Sequence, residues 1–451
     1  MKTTKGDHAM RTSHYMRFWS TGLFLTLIAF TFVVGTASSV WADVGQIQKS
    51  TNSVLDGVEN AVKKTGLPDA KKNLWEKDEL LIKPFIKVRY DLTSNVFKAP
   101  DTGGRQGDNL WTFTPGFQWL KKLSKGIIGG AYEASFRYFT AFPHQNEQDQ
   151  KFLVYANLFP TEKTYIRTSE KLEQTGATAG SSAFEPVDFM DNTVNVVAGY
   201  VEGDWTYELG YENFDRDFSD AVATRYNYNE DKYDLKVYRQ VTKQIRLFSG
   251  FRLGWVDFSR DSSRDTLYYE FPVGFEGNLP GGFTAAASVG IHHRNLEDST
   301  RNDLTHFVTN LSVQKTVNHD RTSIQGGFLR RPVESAFSTA TTYDEKLWYG
   351  EVKHLMTPKL RARSNIYFGN RDFEERVFTG TRFVVGGAVF VAPPNQVKRT
   401  DDIFGFGFGF DYNVRKWLIM HLDYQVSRRN SNISALDYTE NALSLGSTIP
   451  L

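Results

Sequence analysis

The sequence predicts an all-β fold, a transmembrane up-and-down antiparallel β-barrel of about 18 strands. Apolar and polar residues alternate with a period of two in one stretch after another, as they do in strands that have two different faces. The connections between these stretches alternate between short and long, which is typical of outer-membrane barrels. Beyond the N-terminal region there is no run of about 18 apolar residues that could form a membrane-spanning helix, and a barrel needs none.

Residues 1–42 have the composition of a signal peptide. Arg11 and Arg17 precede an apolar stretch at 22–34, and the small-residue pattern Val-Trp-Ala follows at 40–42. We expect cleavage directly after this pattern and export to the outer membrane of a Gram-negative cell. An uncleaved anchor helix is the alternative.

Residues 43–79 are not strand-like. Apolar residues recur at helical spacing in IQKSTNSVLDGVENAVKK, and Gly66 and Pro68 end the pattern. The sequence therefore predicts a short N-terminal helix at 46–64, either in the periplasm or inserted into the barrel as a plug. A mobile periplasmic leader is the alternative.

The barrel is predicted to occupy residues 80–451. Its strands are expected near 80–93, 109–122, 125–140, 149–159, 162–173, 192–203, 204–216, 225–241, 243–258, 265–279, 282–296, 303–317, 320–332, 345–356, 358–371, 403–413, 416–428 and 438–450. Pro272 lies inside one of them, where a proline removes a ladder hydrogen bond, so we expect a bulge there.

The connections predict which end of the barrel faces which compartment. Tight links such as Pro280-Gly281 and Asn318-His319 alternate with polar links such as 96–108, 174–190 and 372–402. Outer-membrane barrels have short periplasmic turns and long extracellular loops. Both termini are then periplasmic, which requires an even number of strands. A soluble propeller or sandwich need not alternate its loop lengths in this way.

The alternation is clearest between 403 and 427. An aromatic residue occupies every second position from Phe404 to Tyr412, and Gly405, Gly407 and Gly409 lie between them. We expect these glycines to leave room in the lumen for a loop or plug; a lipid contact or a kink is the alternative. The run lacks the lysine and the following helix of a phosphate-binding loop.

The composition fits a barrel in lipid. Hydrophobic residues make up 40% of the chain and charged residues 23%, as expected when only alternate strand residues face lipid. The 21 Tyr and 35 Phe could supply aromatic girdles at both membrane interfaces. A net charge of +1 predicts no nucleic-acid partner, and the lack of Cys excludes disulfide and thiol chemistry.

The two faces of each strand predict the lumen. In 243–258, for example, Leu247 and Trp255 lie on one face, and Arg246 and Arg252 on the other. About 18 strands enclose too much space for apolar side chains to fill, so the charged face should line water and the apolar face should meet lipid. The predicted lumen-lining residues are Arg137, Arg246, Arg252, Arg294, Arg331, Lys353, Arg361, Arg363, Arg371, Glu133, Glu270, Glu276 and Glu351. The arginine excess suggests a weak preference for anions; an Arg–Glu ladder that braces the wall and selects nothing is the alternative.

No motif predicts an enzyme, a metal site or a cofactor. His292 and His293 are adjacent, so they point to opposite faces of a strand and cannot share a metal ion. His421 and Ser427 share a strand face, but no known hydrolase motif surrounds them. The acidic run at 229–234 lacks the spacing of a calcium loop and is expected at a solvated loop rim.

One hairpin carries a family resemblance. The stretch from Leu81 to Phe97, LIKPFIKVRYDLTSNVF, and the Thr-Phe-Thr-Pro-Gly of 112–116 resemble the first hairpin of outer-membrane porins of the β-barrel porin 2 type. The resemblance extends over the barrel, from about residue 80 to the end. It implies the fold and the outer-membrane location, no catalytic residues, and a frequent association with exopolysaccharide synthesis and export loci.

We therefore expect a monomeric outer-membrane channel for exopolysaccharide secretion. Its expected partners are outer-membrane lipid, an anionic polysaccharide and other polysaccharide-export components. The alternatives are a general diffusion porin, which would usually be a trimer, and an adhesion or structural barrel whose loops at 174–190 and 372–402 bind ligands outside the cell. An outer-membrane hydrolase is a further alternative.

Overall fold

The computed structural model describes residues 80–98, 106–176, 188–219, 223–297, 302–335, 342–377, 382–385, 388–391 and 397–451. The predicted signal peptide at 1–42 and the helix expected at 46–64 lie outside the described residues. Parts of the links at 174–190 and 372–402 do so as well. Within the described ranges, no helix has the length and apolar character that a bilayer span requires.

The described elements are almost all strands. They are β1 (Leu80–Thr93), β2 (Asp108–Leu123), β3 (Gly126–Phe139), β4 (Glu147–Leu158), β5 (Thr164–Thr175), β6 (Phe189–Glu202), β7 (Trp205–Phe218), β8 (Tyr228–Gln240), β9 (Ile245–Phe258), β10 (Thr266–Leu279), β11 (Phe283–Leu296), β12 (Leu304–Val317), β13 (Thr322–Glu334), β14 (Thr342–Leu355), β15 (Leu360–Val377), β16 (Arg382–Val385), β17 (Ala388–Val391), β18 (Val397–Arg415), β19 (Leu418–Ser431) and β20 (Tyr438–Pro450). Short 3₁₀ turns at Pro143–Gln145, Ala223–Tyr226, Ser262–Arg264 and Ser434–Leu436 lie in the links.

The sheet closes on itself. Each strand pairs antiparallel with its sequence neighbour, β15 pairs directly with β18, and β1 pairs with both β2 and β20. The predicted barrel of 18 antiparallel strands is therefore confirmed. The pair β16–β17 forms a separate two-stranded sheet within the link predicted at 372–402. Its strands are only four residues long, too short for the period-two pattern to show.

The links differ sharply at the two ends. From β2 onward, every second link is two to five residues long, and those between them have six residues or more. Phe85 of β1 pairs with Pro450 of β20 at the short-turn end. The short-turn end of an outer-membrane barrel is periplasmic, so the long links lie at the extracellular end. In the β12–β13 turn, Asn318 to Asp320 have φ between 53° and 64°, a tight left-handed reversal at the short-turn end.

The expectation of a bulge at Pro272 is wrong. The β10–β11 register runs without a shift through Pro272 and Gly290. On the other side, Glu270 pairs with Arg252 and Val273 pairs with Ser249, which is the same register, so no residue has been inserted. Gly250 of β9 explains the fit, because its lack of a side chain leaves room for the proline ring beside it.

Contacts between non-adjacent strands identify the inner face. Glu208 of β7 receives a hydrogen bond from Arg167 of β5 at 2.6 Å, and Tyr268 of β10 donates to Glu230 of β8 at 2.6 Å. Each contact passes over an intervening strand, a span of about 10 Å at a strand spacing of about 4.8 Å. Side chains converge over such a span only on the concave side of a curved sheet. The charged face therefore points into the barrel.

Large hydrophobic side chains cover the opposite face. They are exposed at alternate positions of the strands, as at Trp111, Phe113, Phe271, Val273, Val289, Ile291, Phe368, Phe406, Leu443 and Leu445. Such a belt is the surface that a lipid bilayer covers. Apolar burial inside the barrel is local, as in the cluster of Tyr228, Val256, Phe258 and Tyr268.

Candidate functional site

The candidate site is the inner wall of the barrel. Each predicted lumen residue lies on a strand at a position that alternates with the exposed hydrophobic side chains. These residues are Glu133 and Arg137 on β3, Arg246 and Arg252 on β9, Glu270 and Glu276 on β10, Arg294 on β11, Arg331 on β13, Glu351 and Lys353 on β14, and Arg361, Arg363 and Arg371 on β15. They are distributed around the wall and do not converge on a single centre.

On β3, both predicted residues have partners of opposite charge. Arg137 Nη2 lies 2.8 Å from Glu147 and 2.7 Å from Asp149, both on the neighbouring strand β4. Glu133 receives a hydrogen bond from Lys87 Nζ of β1 at 2.7 Å. The first contacts join adjacent strands, whereas the bond between Lys87 and Glu133 passes over β2.

Arg252 is the centre of a buried group. Its Nε donates to Asp234 of β8 at 3.1 Å, and its Nη1 lies 3.8 Å from Glu270 of β10. Glu270 also lies 3.3 Å from the Nδ1 atom of His292. Lower on the same strand, Arg246 pairs with Glu276. Each of these cations faces a carboxylate on an adjacent strand.

On β13 to β15, Glu345 bridges two arginines. Arg371 Nε donates to it at 2.9 Å, and Arg331 Nη2 at 3.4 Å. Arg363 lies 2.7 Å from Asp423 and pairs across β18. The pair of Lys353 and Glu351, 2.9 Å apart, lies along β14.

Arg361 differs from the other predicted lumen cations. It is exposed and forms no ion pair with a residue that the structure describes. It lies at the periplasmic end of β15, one residue into the strand. An exposed guanidinium in water is a ready partner for a carboxylate or sulfate group.

The geometry of the wall is that of an Arg–carboxylate ladder. Most predicted lumen cations meet an acidic side chain within 4 Å, so their fields largely cancel at a distance. The sequence predicts a charged face but does not name most of the acidic partners on β4 to β8, among them Asp149, Glu208, Glu212 and Asp234. Their signal was the same period-two pattern, which is visible in the β8 sequence YNEDKYDLKVYRQ.

The acidic run at 229–234 is part of β8 and not a solvated loop rim, so that expectation is wrong. Lys232 on the inner face bonds Glu212 at 3.0 Å and Glu230 at 2.9 Å. Its neighbour Asp231 lies on the other face and receives a hydrogen bond from Tyr211. This charged run can form a strand because the residues on each of its two faces have their own bonding partners.

The space beside the glycines of β18 is occupied by side chains of the neighbouring strands. A Cβ at Gly405 would overlap the ring of Tyr367, and a Cβ at Gly407 would overlap the amide of Asn365. Gly409 is crossed in the same way by Asp423. The space expected for a loop or plug is thus occupied by side chains of β15 and β19 that lie flat along the wall.

The histidines that the structure describes do not assemble a reactive centre. His292 faces inward to Glu270, whereas His293 lies on the outer face, 2.8 Å from Thr305, as expected from their adjacency. His421 bonds Asp411 and Thr448, while Ser427 donates to Glu440. In the part of the chain that the structure describes, no group of three or more His, Asp or Glu side chains is arranged to hold a metal ion.

A family model and several solved structures are similar to the chain. The family model described as Putative beta-barrel porin 2 matches residues 80–450. A BenF-like porin from Pseudomonas fluorescens Pf-5 aligns at 13% identity and a TM-score of 0.44, covering 82% of this chain and 99% of that chain. The outer membrane protein opdK from Pseudomonas aeruginosa aligns at 9% identity and 0.43, with coverage of 82% and 99%. The siderophore receptor PirA from the same organism aligns at 8% and 0.40, with coverage of 83% and 81%. No curated protein sequence matches the chain.

Proposed function

Because the chain belongs to the Putative beta-barrel porin 2 family, we propose that it is the outer-membrane channel through which an exopolysaccharide is secreted. The chain is an outer-membrane β-barrel porin and not an enzyme. The proposal adds the cargo, export by a cleaved signal peptide at 1–42, and a monomeric barrel that works with other polysaccharide-export components.

The width of the barrel supports passage of a polymer. Barrels of about eight strands are filled by their own side chains, whereas those of 16–18 strands leave an aqueous channel. This barrel has 18 strands in one closed sheet. A single extended sugar chain is narrower than such a channel.

The main observation that supports the proposal is the chemistry of the inner wall. Its cations are held by carboxylates, as in the pairs of Arg137 with Asp149 and Arg363 with Asp423, so the wall offers many hydrogen bonds but no strong field of one sign. A hydroxyl-rich chain can exchange bonds along such a surface without being trapped, which conduction requires. The rings of Tyr367 and Tyr165, which cover Gly405 and Gly199, keep the wall smooth.

Arg361 is the site at which we expect an anionic sugar to bind. It is exposed at the periplasmic entrance, and its cross-strand neighbour Asp411 forms its ion pairs with Arg363 and His421 instead. A uronate or sulfate group there would gain a charge-assisted hydrogen bond. Anionic cargo would therefore dwell longer at this point than neutral cargo.

Block of single-channel current tests the proposal. We expect anionic oligosaccharides to interrupt the current through the full-length protein, and neutral ones of equal length to do so more briefly. Arg361→Gln should shorten the anionic blocks. Arg239→Gln is the matched control, because Arg239 lies on the outer face of β8 over the ring of Trp205.

Other outcomes favour the alternatives. A steady pore that no oligosaccharide blocks would support a general diffusion porin, and the paired wall suits small hydrophilic solutes equally well. A trimeric band on non-denaturing gels would point the same way. An inserted barrel that never conducts would support an adhesion or structural role.

A further inference from the structure

The extracellular half of the barrel has an open seam between β12 and β13. Their ladder starts at the short turn and ends at the pair of Thr309 and Arg330. Beyond that point β12 continues to Leu304, paired only with β11, and β13 continues to Glu334, paired only with β14. The two strands therefore part over their last four or five residues.

An ion pair draws the end of β13 away from β12. Glu334, the last residue of β13, pairs with Arg294 of β11, and both side chains are buried. The contact passes over β12, so it spans two strand spacings, about 10 Å along the wall. Glu334 can reach Arg294 only if the end of β13 leans toward the axis of the barrel.

A second contact reaches farther. Arg264, in the 3₁₀ turn before β10, donates from Nη2 to the carbonyl oxygen of Ser335 at 2.7 Å. The guanidinium lies 4.2 Å from the centre of the Phe258 ring, and Ser335 is fully buried. Burial lowers the pKa of Arg264, and the nearby Glu334 carboxylate opposes that shift. This contact connects elements separated by three strand spacings.

A third contact lies beside them. His306 Nε2 of β12 is 3.8 Å from Glu374 Oε1 of β15, across the ends of β13 and β14. The β15–β18 ladder also has its register shift between Asp372 and Arg376. The outer ends of β13, β14 and β15 thus lean inward together, toward β9 to β12.

We propose that the outer ends of β13 and β14 form an inward-folded constriction that sets the size limit of the channel, and that Arg264 and Arg294 are the residues that hold it in place. The proposal rests on the channel function proposed above. This constriction would lie at the extracellular mouth, where a secreted chain would have to pass. Its width therefore selects cargo by cross-section, whereas Arg361 acts on charge at the other end.

Pore size can be measured by adding polyethylene glycols of increasing size and finding the smallest one that no longer lowers the conductance. In the variant with Arg264→Ala and Arg294→Ala, we expect a higher unit conductance and an upward shift of this exclusion size. Arg239→Ala is the matched control, since it removes an arginine from the outer face of β8, over the ring of Trp205 and away from the mouth. A separate variant that exchanges the two charges, Arg294→Glu with Glu334→Arg, re-forms the ion pair in the opposite direction and should keep the wild-type exclusion size.

A thiol assay provides a second measurement that needs no current. The chain has no cysteine, so Ser335→Cys introduces a single label site. A water-soluble thiol reagent should react slowly with Ser335→Cys alone, and faster when Arg264→Ala is added. If the wild-type protein conducts but the substitutions change neither the exclusion size nor the labelling rate, the constriction is overturned and the channel function is not. A wild-type barrel that never conducts overturns the channel function and the constriction with it.

Discussion

Arg252 and Asp234 form a well-enclosed ion pair of the inner wall, with side chains 8% and 2% exposed. Breaking a buried pair costs more than the pair contributes, because it leaves one charge desolvated without its partner. Arg252 also has Glu270 at 3.8 Å, which softens the loss. At the scale of single residues, we therefore expect that removing one member of a buried ion pair destabilises the barrel because the other member is left without a partner.

Asp234→Ala should lower the free energy of unfolding by about 3 kcal/mol, the lower end of the range for a broken buried pair. The measurement is urea unfolding of the protein refolded in lipid vesicles. The control is Glu202→Ala, which removes the exposed partner of Lys163 near a periplasmic turn and should have no measurable effect. Equal effects of the two substitutions would contradict this account of the wall.

Gly405 provides a second test at residue scale. Gly405→Ala would push a methyl group into the ring of Tyr367, and overpacking of this kind costs about 1–3 kcal/mol. Gly350→Ala is the matched control, because its Cβ would meet the Ile366 side chain and the Gln325 carbonyl oxygen at ordinary contact distances. We expect the first substitution alone to lower the urea midpoint. If Tyr367→Ala does not relieve the loss, the close approach is not its cause.

At the scale of the strand, one face of each strand meets lipid and the other lines the lumen. Val289 and Ser288 are consecutive in the middle of β11, and Val289 is exposed on the outer face. Val289→Arg should lower stability in vesicles by roughly 2–4 kcal/mol, since it places a cation at mid-bilayer depth. Ser288→Arg adds the same charge to the wet inner face and should cost much less. The reverse order of the two stabilities would show that the faces are assigned wrongly.

The sequence predicted the strands well within the membrane, where the two faces of a strand differ. It predicted their extracellular extensions less well. β18 was expected to begin near residue 403, but it starts at Val397, and β15 continues to Val377. Both extensions are mostly polar, as in Val397 to Asp402, and the buried Phe373 is isolated among charged residues of β15, so no regular alternation marks them as strands. They lie beyond the apolar belt, where backbone pairing is not accompanied by lipid contact.

The predicted site shows the same limit. Period two assigned each lumen residue to its face, but it could not identify the partners. The pairing of Arg363 with Asp423 crosses a strand, and the pairing of Arg294 with Glu334 depends on a bend of β13. Such contacts follow from curvature and from the end of a ladder, which single-strand patterns do not encode. The inward lean of β13 to β15 could be found only in three dimensions.

At the scale of the whole molecule, the paired wall predicts weak ion selectivity. Because most inner cations have a carboxylate within 4 Å, the reversal potential in a KCl gradient should be small, with a slight anion preference from Arg361. Arg361→Glu should move the reversal potential toward the cation side. A strongly selective wild-type pore would contradict the ladder.

The most direct test of the central claim, a water-filled channel lined by the charged face, is the single-channel conductance of the full-length protein in a planar bilayer. We expect discrete current steps that grow when Arg264 and Arg294 are replaced and are interrupted by anionic oligosaccharides. A barrel shown to be inserted by its protease-protected fragments, yet silent at every voltage, would contradict it.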